Sequence, residues 1–134
     1  MNWYLDSSAI LKLIFQEDES DALVRTITDQ CVTSSISRIE VVRIVQRTNP
    51  EGLGFAREEL SKLILVPISE AVIRIAESFA GMATLRSLDA IHVASALLLH
   101  NSIAGLITYD TQMARNAREL GLVVRSPAQI AGKE

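Results

Sequence analysis

The sequence predicts an α/β fold in which a central parallel sheet of four to five strands carries helices on both faces. Three observations predict it. Short β-prone runs alternate with helical segments along the whole chain, and strands separated by helices pair in parallel. One helical segment, Leu88 to His100, is apolar almost all round, as a helix covered by other elements must be. The length of 134 residues and a hydrophobic content of 49% match one core of the commonest domain size, roughly 100 to 150 residues, and not two.

The elements follow in order. Asn2 to Leu5 is an apolar run cut off by Asp6-Ser7-Ser8, whose oxygens can cap a helix over Ala9 to Phe15. Glu17, Asp18, Glu19 and Asp21 crowd the expected first turn of a second helix, where the helix dipole favours negative charge. Cys31-Val32-Thr33 is a second strand, and Ser34, Ser35 and Ser37 are alternative caps for a helix from Ile36 to Thr48. Asn49-Pro50-Glu51-Gly52 breaks that helix. A further helix over Leu53 to Lys62 leads into a third β-prone stretch, Leu63 to Ile68, which Pro67 ends or confines to an edge. Ser69 caps a helix reaching Met82. After the apolar helix, Leu106 to Tyr109 is a strand, Thr111 to Leu120 a helix and Leu122-Val123-Val124 a last strand, with Gly105 and Gly121 at turns. A single domain over residues 1–131 is expected, with 132–134 as a flexible end.

Composition excludes several classes. A charged fraction of 22% without any Pro, Gly or Ser-rich tract argues against extended disorder. The N-terminus lacks a basic region followed by an apolar stretch, so a cytoplasmic location is expected. The longest nearly apolar run, Ala90 to Leu99, falls short of the ~20 residues that span a bilayer. The lone Cys31 forms no internal disulfide, reads as a packed thiol and agrees with a reducing compartment. A glycine-rich phosphate loop and a Gly-x-Ser-x-Gly turn are both missing, which argues against nucleotide-cofactor and triad-hydrolase chemistry. The net charge of −3 counts against holding a polyanion by charge alone, unless divalent cations neutralise the acids that produce it.

Four of those acids fall where a site is expected, since open parallel sheets bind ligands beyond the carboxyl ends of their strands. Asp6 follows the first strand, and Asp110 follows the strand ending at Tyr109. Glu40 lies about one turn into the helix after the second strand. Asp89 occupies the first turn of the apolar helix, where an acid close to the core needs a partner. Convergent carboxylates with open positions suit Mg²⁺ or Mn²⁺, and such ions cleave phosphodiesters with an activated water and no nucleophilic side chain. Each acid also has a plain alternative: Asp6 as a helix cap, Asp110 as a turn residue, and Glu40 as part of a capping box Ser37-Arg38-Ile39-Glu40. His92, one turn after Asp89, either points to that site or is a satisfied histidine on a buried helix.

Leu5-Asp6-Ser7-Ser8-Ala9, the mid-chain Glu40, Leu88-Asp89-Ala90-Ile91-His92-Val93-Ala94 and Thr108-Tyr109-Asp110 together resemble the motifs of the PIN-domain nucleases. Within that family they resemble the VapC-type ribonuclease toxins of toxin–antitoxin pairs. The resemblance runs over essentially the whole chain, in order, and the segment around Asp89 is its most specific part. It implies a three-layer α/β/α PIN-like domain and a metal-dependent endoribonuclease. Asp6, Glu40, Asp89 and Asp110 would then bind Mg²⁺ (or Mn²⁺), and Ser7 and Thr108 would help hold the ligands. It further implies an RNA substrate, a homodimer and a VapB-like antitoxin whose tail occupies the groove beside the active site.

Arg43 and Arg47 follow Glu40 by three and seven residues, Arg86 precedes Asp89, and Arg115 follows Asp110 by about a turn. These four are the candidates for RNA phosphate contacts. An aromatic fraction of 4% favours reading RNA shape and backbone over base stacking. The alternative is a non-catalytic RNA- or protein-binding domain that keeps the acids for stability. A phosphotransfer domain would want a lysine at a late strand end, where only Arg125 stands.

Overall fold

The computed structural model describes residues 2–79, 81–82 and 84–128; the expected flexible end, 132–134, lies outside them. Strand β1 (Asn2–Leu5) leads to helices α1 (Ser7–Ile14) and α2 (Ser20–Thr26), and β2 (Val32–Ser34) to α3 (Ile36–Thr48) and α4 (Leu53–Ser61). Strand β3 (Ile64–Val66) is followed by α5 (Glu70–Glu77) and α6 (Ser87–Leu98). Strand β4 (Ile103–Ile107), α7 (Thr111–Glu119) and β5 (Val124–Arg125) complete the order.

All pairings are parallel, and the five strands stand in the order β3-β2-β1-β4-β5. The chain builds outward from β1 to β3 on one side, then crosses to β4 and β5 on the other. The reversal of strand order therefore falls between β1 and β4, the crevice in which such sheets bind ligands. Alternation along the strands divides the interior in two. Tyr4, Val32 and Leu106 face Val72, Val93, Ala94 and Met113 of α5, α6 and α7. Leu5 and Ile107 face Ile10, Leu23, Val41, Val45 and Leu60 of α1 to α4. The result is the expected three-layer arrangement, with β3 at an edge as Pro67 suggested. Among the described residues no helix is long and apolar enough to cross a membrane.

Several boundaries differ from the expected ones. Glu17 and Asp18 precede α2 instead of lying in its first turn, and Glu17 and Glu19 pair with Lys12 of α1 at 2.8 and 2.9 Å. Helix α5 stops at Glu77, short of Met82. Strand β5 begins at Val124, two residues later than expected.

The fourth strand spans Ile103–Ile107 and not Leu106 to Tyr109, so Gly105 sits inside a strand and not at a turn. A Cβ there would lie 2.5 Å from the Val123 carbonyl oxygen and 2.8 Å from the Trp3 ring. Glycine is needed for close approach, a demand that local sequence does not distinguish from a turn. Gly105→Ala is expected to cost about 2 kcal/mol in urea denaturation. Gly54→Ala, on an open face of α4, should gain roughly 0.5 kcal/mol. Gly121 does occupy a turn, with φ +92.

Candidate active site

The four acids are delivered to one edge of the sheet by four different elements. Asp6, only 2% exposed, ends β1 and caps α1: its Oδ1 accepts from the Ala9 N–H at 3.0 Å and the Ser8 hydroxyl at 2.7 Å. Its Oδ2 accepts from the Thr108 hydroxyl at 2.5 Å. Burial outweighs these hydrogen bonds and pushes the Asp6 carboxyl above its ordinary value.

Thr108 and Tyr109, expected inside the strand, form a two-residue bridge from β4 to Asp110. Thr108 keeps one sheet bond, donating its N–H to the Arg125 carbonyl at 3.2 Å. Its Oγ1 accepts the Asp110 N–H at 3.1 Å, and the Tyr109 N–H donates to Ser8 Oγ at 2.9 Å. Ser8 and Thr108 thus lock the loop after β1 to the loop after β4 across the switch point. Asp110 caps α7, its Oδ1 accepting from the N–H groups of Gln112 and Met113. Thr108, expected to help hold a ligand, bonds the Asp6 carboxylate and the Asp110 backbone. Ser8 was not singled out, although its position in Asp6-Ser7-Ser8 is the only local signal it offers.

The capping-box reading of Glu40 does not hold. Ser35 is the cap residue of α3, and Ser37 is buried with its hydroxyl 2.6 Å from Thr33 Oγ1. Glu40 reaches inward instead. Its Oε1 accepts from the Ser7 hydroxyl and bonds His92 Nε2, the latter at 2.8 Å. Burial raises the Glu40 pKa, but the hydrogen bonds from His92 and Ser7 outweigh it and the carboxyl ends below its ordinary value. His92 is therefore satisfied, as the buried-histidine alternative held, but by a site carboxylate. The signal was a lone polar ring on an otherwise apolar helix, which must find partners when buried.

Asp89 stands in the first turn of α6, whose cap residue Arg86 makes no side-chain cap bond. No hydrogen bond or ion pair reaches its carboxylate from another described residue. Burial first, and then the charges of Asp110, Asp6 and Glu40, push its carboxyl above the ordinary value, with His92 alone opposing. The four acids thus repel one another through Asp89, and no described lysine or arginine pairs with any of them. Among the described residues no three side chains form a ready-made metal cage. The donor set instead fits an open hard-cation site in which an ion keeps several of its waters. Oxygens of Asp89 and Asp110 carry free lone pairs, and uncompensated negative charge is what an ion would relieve.

Beside this edge, Ser8, Leu11, Lys12, Phe15, Ile44 and Tyr109 line an open groove of about 610 Å³. The candidate RNA contacts Arg43, Arg47, Arg86 and Arg115 are all exposed. Arg43 shares a groove of about 460 Å³ with Arg38 and Arg57, which the sequence did not single out, over Ile39, Val42 and Leu65. Arg47, seven residues beyond Glu40, lies roughly 10 Å further along the helix.

The PIN domain family model matches residues 3–119. The chain is 38% identical over 134 residues to Ribonuclease VapC47 of Mycobacterium tuberculosis, covering 95% of this chain and 98% of that protein. It is 37% identical over 132 residues to Ribonuclease VapC35 of the same organism, covering 94% and 97%. In fold it is similar to a chain of a toxin-antitoxin complex from Klebsiella pneumoniae, with a TM-score of 0.78 at 22% identity, over 96% of this chain and 100% of that one.

Proposed function

The chain belongs to the PIN domain family, and on that premise we propose that it is a metal-dependent endoribonuclease and the toxin of a toxin–antitoxin pair. Asp89 carries this reading: a half-buried carboxylate, repelled by three others and without a described partner, at the crevice where the sheet reverses order. The names of the relatives, two ribonucleases, support RNA as substrate. The toxin-antitoxin complex of similar fold supports an antitoxin partner.

Asp6, Glu40, Asp89 and Asp110 would hold Mg²⁺ or Mn²⁺. A bound ion supplies Lewis-acid activation of water and neutralises charge at the phosphate. The chain itself fixes the ligand geometry. Asp6 is immobilised by three donors, Thr108 ties it to the Asp110 backbone, and Ser7 steadies Glu40. The groove of Leu11, Phe15 and Tyr109 is the natural seat for an antitoxin segment, and exposed Ile64, Ile68 and Ile73 near the β3 edge offer apolar surface to a second copy in a homodimer. A cytoplasmic location follows from an RNA substrate.

Purified protein is expected to cleave structured RNA with Mg²⁺ or Mn²⁺ and to stop in EDTA, read on denaturing gels. Cleavage that persists in the metal-stripped protein would refute the mechanism. One observation favours the non-catalytic alternative: Asp6 and Asp110 both serve as helix caps. That reading expects no cleavage, and RNA retention indifferent to metal.

Arg38, Arg43 and Arg57 form no described ion pair, whereas Arg74 is paired with Glu70. Their groove suits the phosphate backbone of the substrate. In a non-cleaving Asp89→Asn background, Arg38→Ala/Arg57→Ala should weaken RNA binding at low salt. The slope of log affinity against log salt should fall by about 1.4, or ~0.7 per lost phosphate contact on a single strand. Fluorescence anisotropy across a salt series checks this.

A further inference from the structure

Helix α6 buries Ala90, Val93, Ala94 and Ala96, yet places a histidine among them at 1% exposure. A structural histidine in such a helix is easily satisfied by a nearby carbonyl, as Ser95 is by Ile91 O at 2.8 Å. His92 instead bridges two distant elements. Its Nδ1 lies 2.8 Å from the hydroxyl of the fully buried Tyr4 on β1, and its Nε2 lies 2.8 Å from Glu40 Oε1 on α3. An ionised carboxylate only accepts, so Nε2 must carry the hydrogen. In the neutral ring Nδ1 then accepts from the Tyr4 hydroxyl, so Glu40 selects the tautomer and Tyr4 holds the ring by its other nitrogen.

The bonds to Glu40 are one-sided. Ser7 and His92 both use Oε1, and no described residue bonds Oε2. Two donors converging on one oxygen fix the carboxylate plane and leave the other oxygen open towards a ligand. We propose that Tyr4 and His92 are positioning residues that clamp Glu40 by Oε1 and present Oε2 to the divalent cation or its water shell. The cation part rests on the function proposed above; the clamp itself does not.

The first test needs neither metal nor RNA. In metal-free protein, long-range ¹H–¹⁵N NMR should show His92 as the Nε2–H tautomer, and Glu40→Gln, whose amide can donate as well as accept, should shift it towards a mixture. A His92 hydrogen on Nδ1 alone in the wild type overturns the clamp. The second test uses binding and kinetics. His92→Leu, measured well below its melting temperature, should weaken Mn²⁺ binding and lower kcat by about 10- to 100-fold with little change in KM. His92→Gln, which retains an N–H near the Nε2 position, should recover much of both. A merely structural role predicts no such rescue, because a buried glutamine replaces the ring no better than leucine does. Wild-type kcat and Mn²⁺ affinity in folded His92→Leu would overturn the proposal. If His92→Leu does not fold, Tyr4→Phe and His92→Gln carry the same comparison. If the wild type cleaves no RNA, the ribonuclease reading fails while NMR and Mn²⁺ binding still decide the clamp.

Discussion

Asp89→Asn is expected to lower RNA cleavage at saturating Mg²⁺ or Mn²⁺ by at least about a hundredfold while leaving the metal-free protein more stable than the wild type. The two effects share one cause. The Asp89 carboxylate has no described hydrogen-bond partner and is opposed by burial and by Asp110, Asp6 and Glu40, so its charge destabilises the metal-free protein. The amide keeps the shape but removes the charge and one of the two oxygens that would engage an ion. Because Asp89 is half exposed, solvent screening reduces the gain; about 1 kcal/mol, or roughly 3–5 °C in Tm, is expected. Single-turnover cleavage and melting in EDTA measure the two effects on one preparation. A variant both active and destabilised would show that Asp89 is a structural acid.

The second large effect is on the wild type. At pH 7, Mn²⁺ at about 100 times its Kd should stabilise the protein by ~2.7 kcal/mol, about 10 °C in Tm. The increment should shrink as pH falls towards the ordinary aspartate value of 3.8. The metal-free trend has the opposite sign. Asp6 and Asp89 have raised values in the folded state, so the fold binds their protons more tightly than the unfolded chain does. Their contribution is fully present below 3.8 and is lost as pH rises through the raised values. Glu40, with a lowered value, acts the other way. Its contribution is present above the ordinary 4.5 and is lost as pH falls through the lowered value. Glu19, held below its ordinary value by Lys12, acts in the same direction as Glu40, so the sign is read on Asp89 alone, as the loss of metal-free stability with rising pH that Asp89→Asn should remove. Differential scanning fluorimetry across pH, with and without EDTA, checks both signs. A wild-type stability in EDTA that does not fall relative to Asp89→Asn between pH 4 and 7 would mean that the Asp89 charge is already neutralised by the protein.

The layered architecture was legible because it follows from local chemistry. Short β-prone runs between helical segments, serine and aspartate caps, and one helix apolar almost all round leave few arrangements besides a covered parallel sheet. The bounds of α3 coincide with the expected ones, since Pro50 and the preceding serines mark both ends. The positions of Asp6, Glu40, Asp89 and Asp110 were legible for the same reason: each lies near an element terminus, and a parallel sheet brings those termini to one edge.

What the chain's own order could not show is what crosses it. Gly105 looks like a turn until Val123 and Trp3 close on it. Thr108 and Tyr109 have strand propensity, but Ser8, a hundred residues away, takes the Tyr109 N–H and turns the chain towards Asp110. Glu40 fits a capping box on its own helix, yet its carboxylate leaves the backbone for Ser7 and His92. The sequence by itself determined the layers, the carboxyl-end edge and the four candidate carboxylates, because strand and helix propensity and capping act within a few residues. Tertiary structure alone decided where the strand order reverses, and that among the described residues Asp6 is held by both oxygens, Glu40 by one and Asp89 by neither, because hydrogen bonds between residues 33 to 102 positions apart exist only once β1, α3, α6 and β4 are packed together.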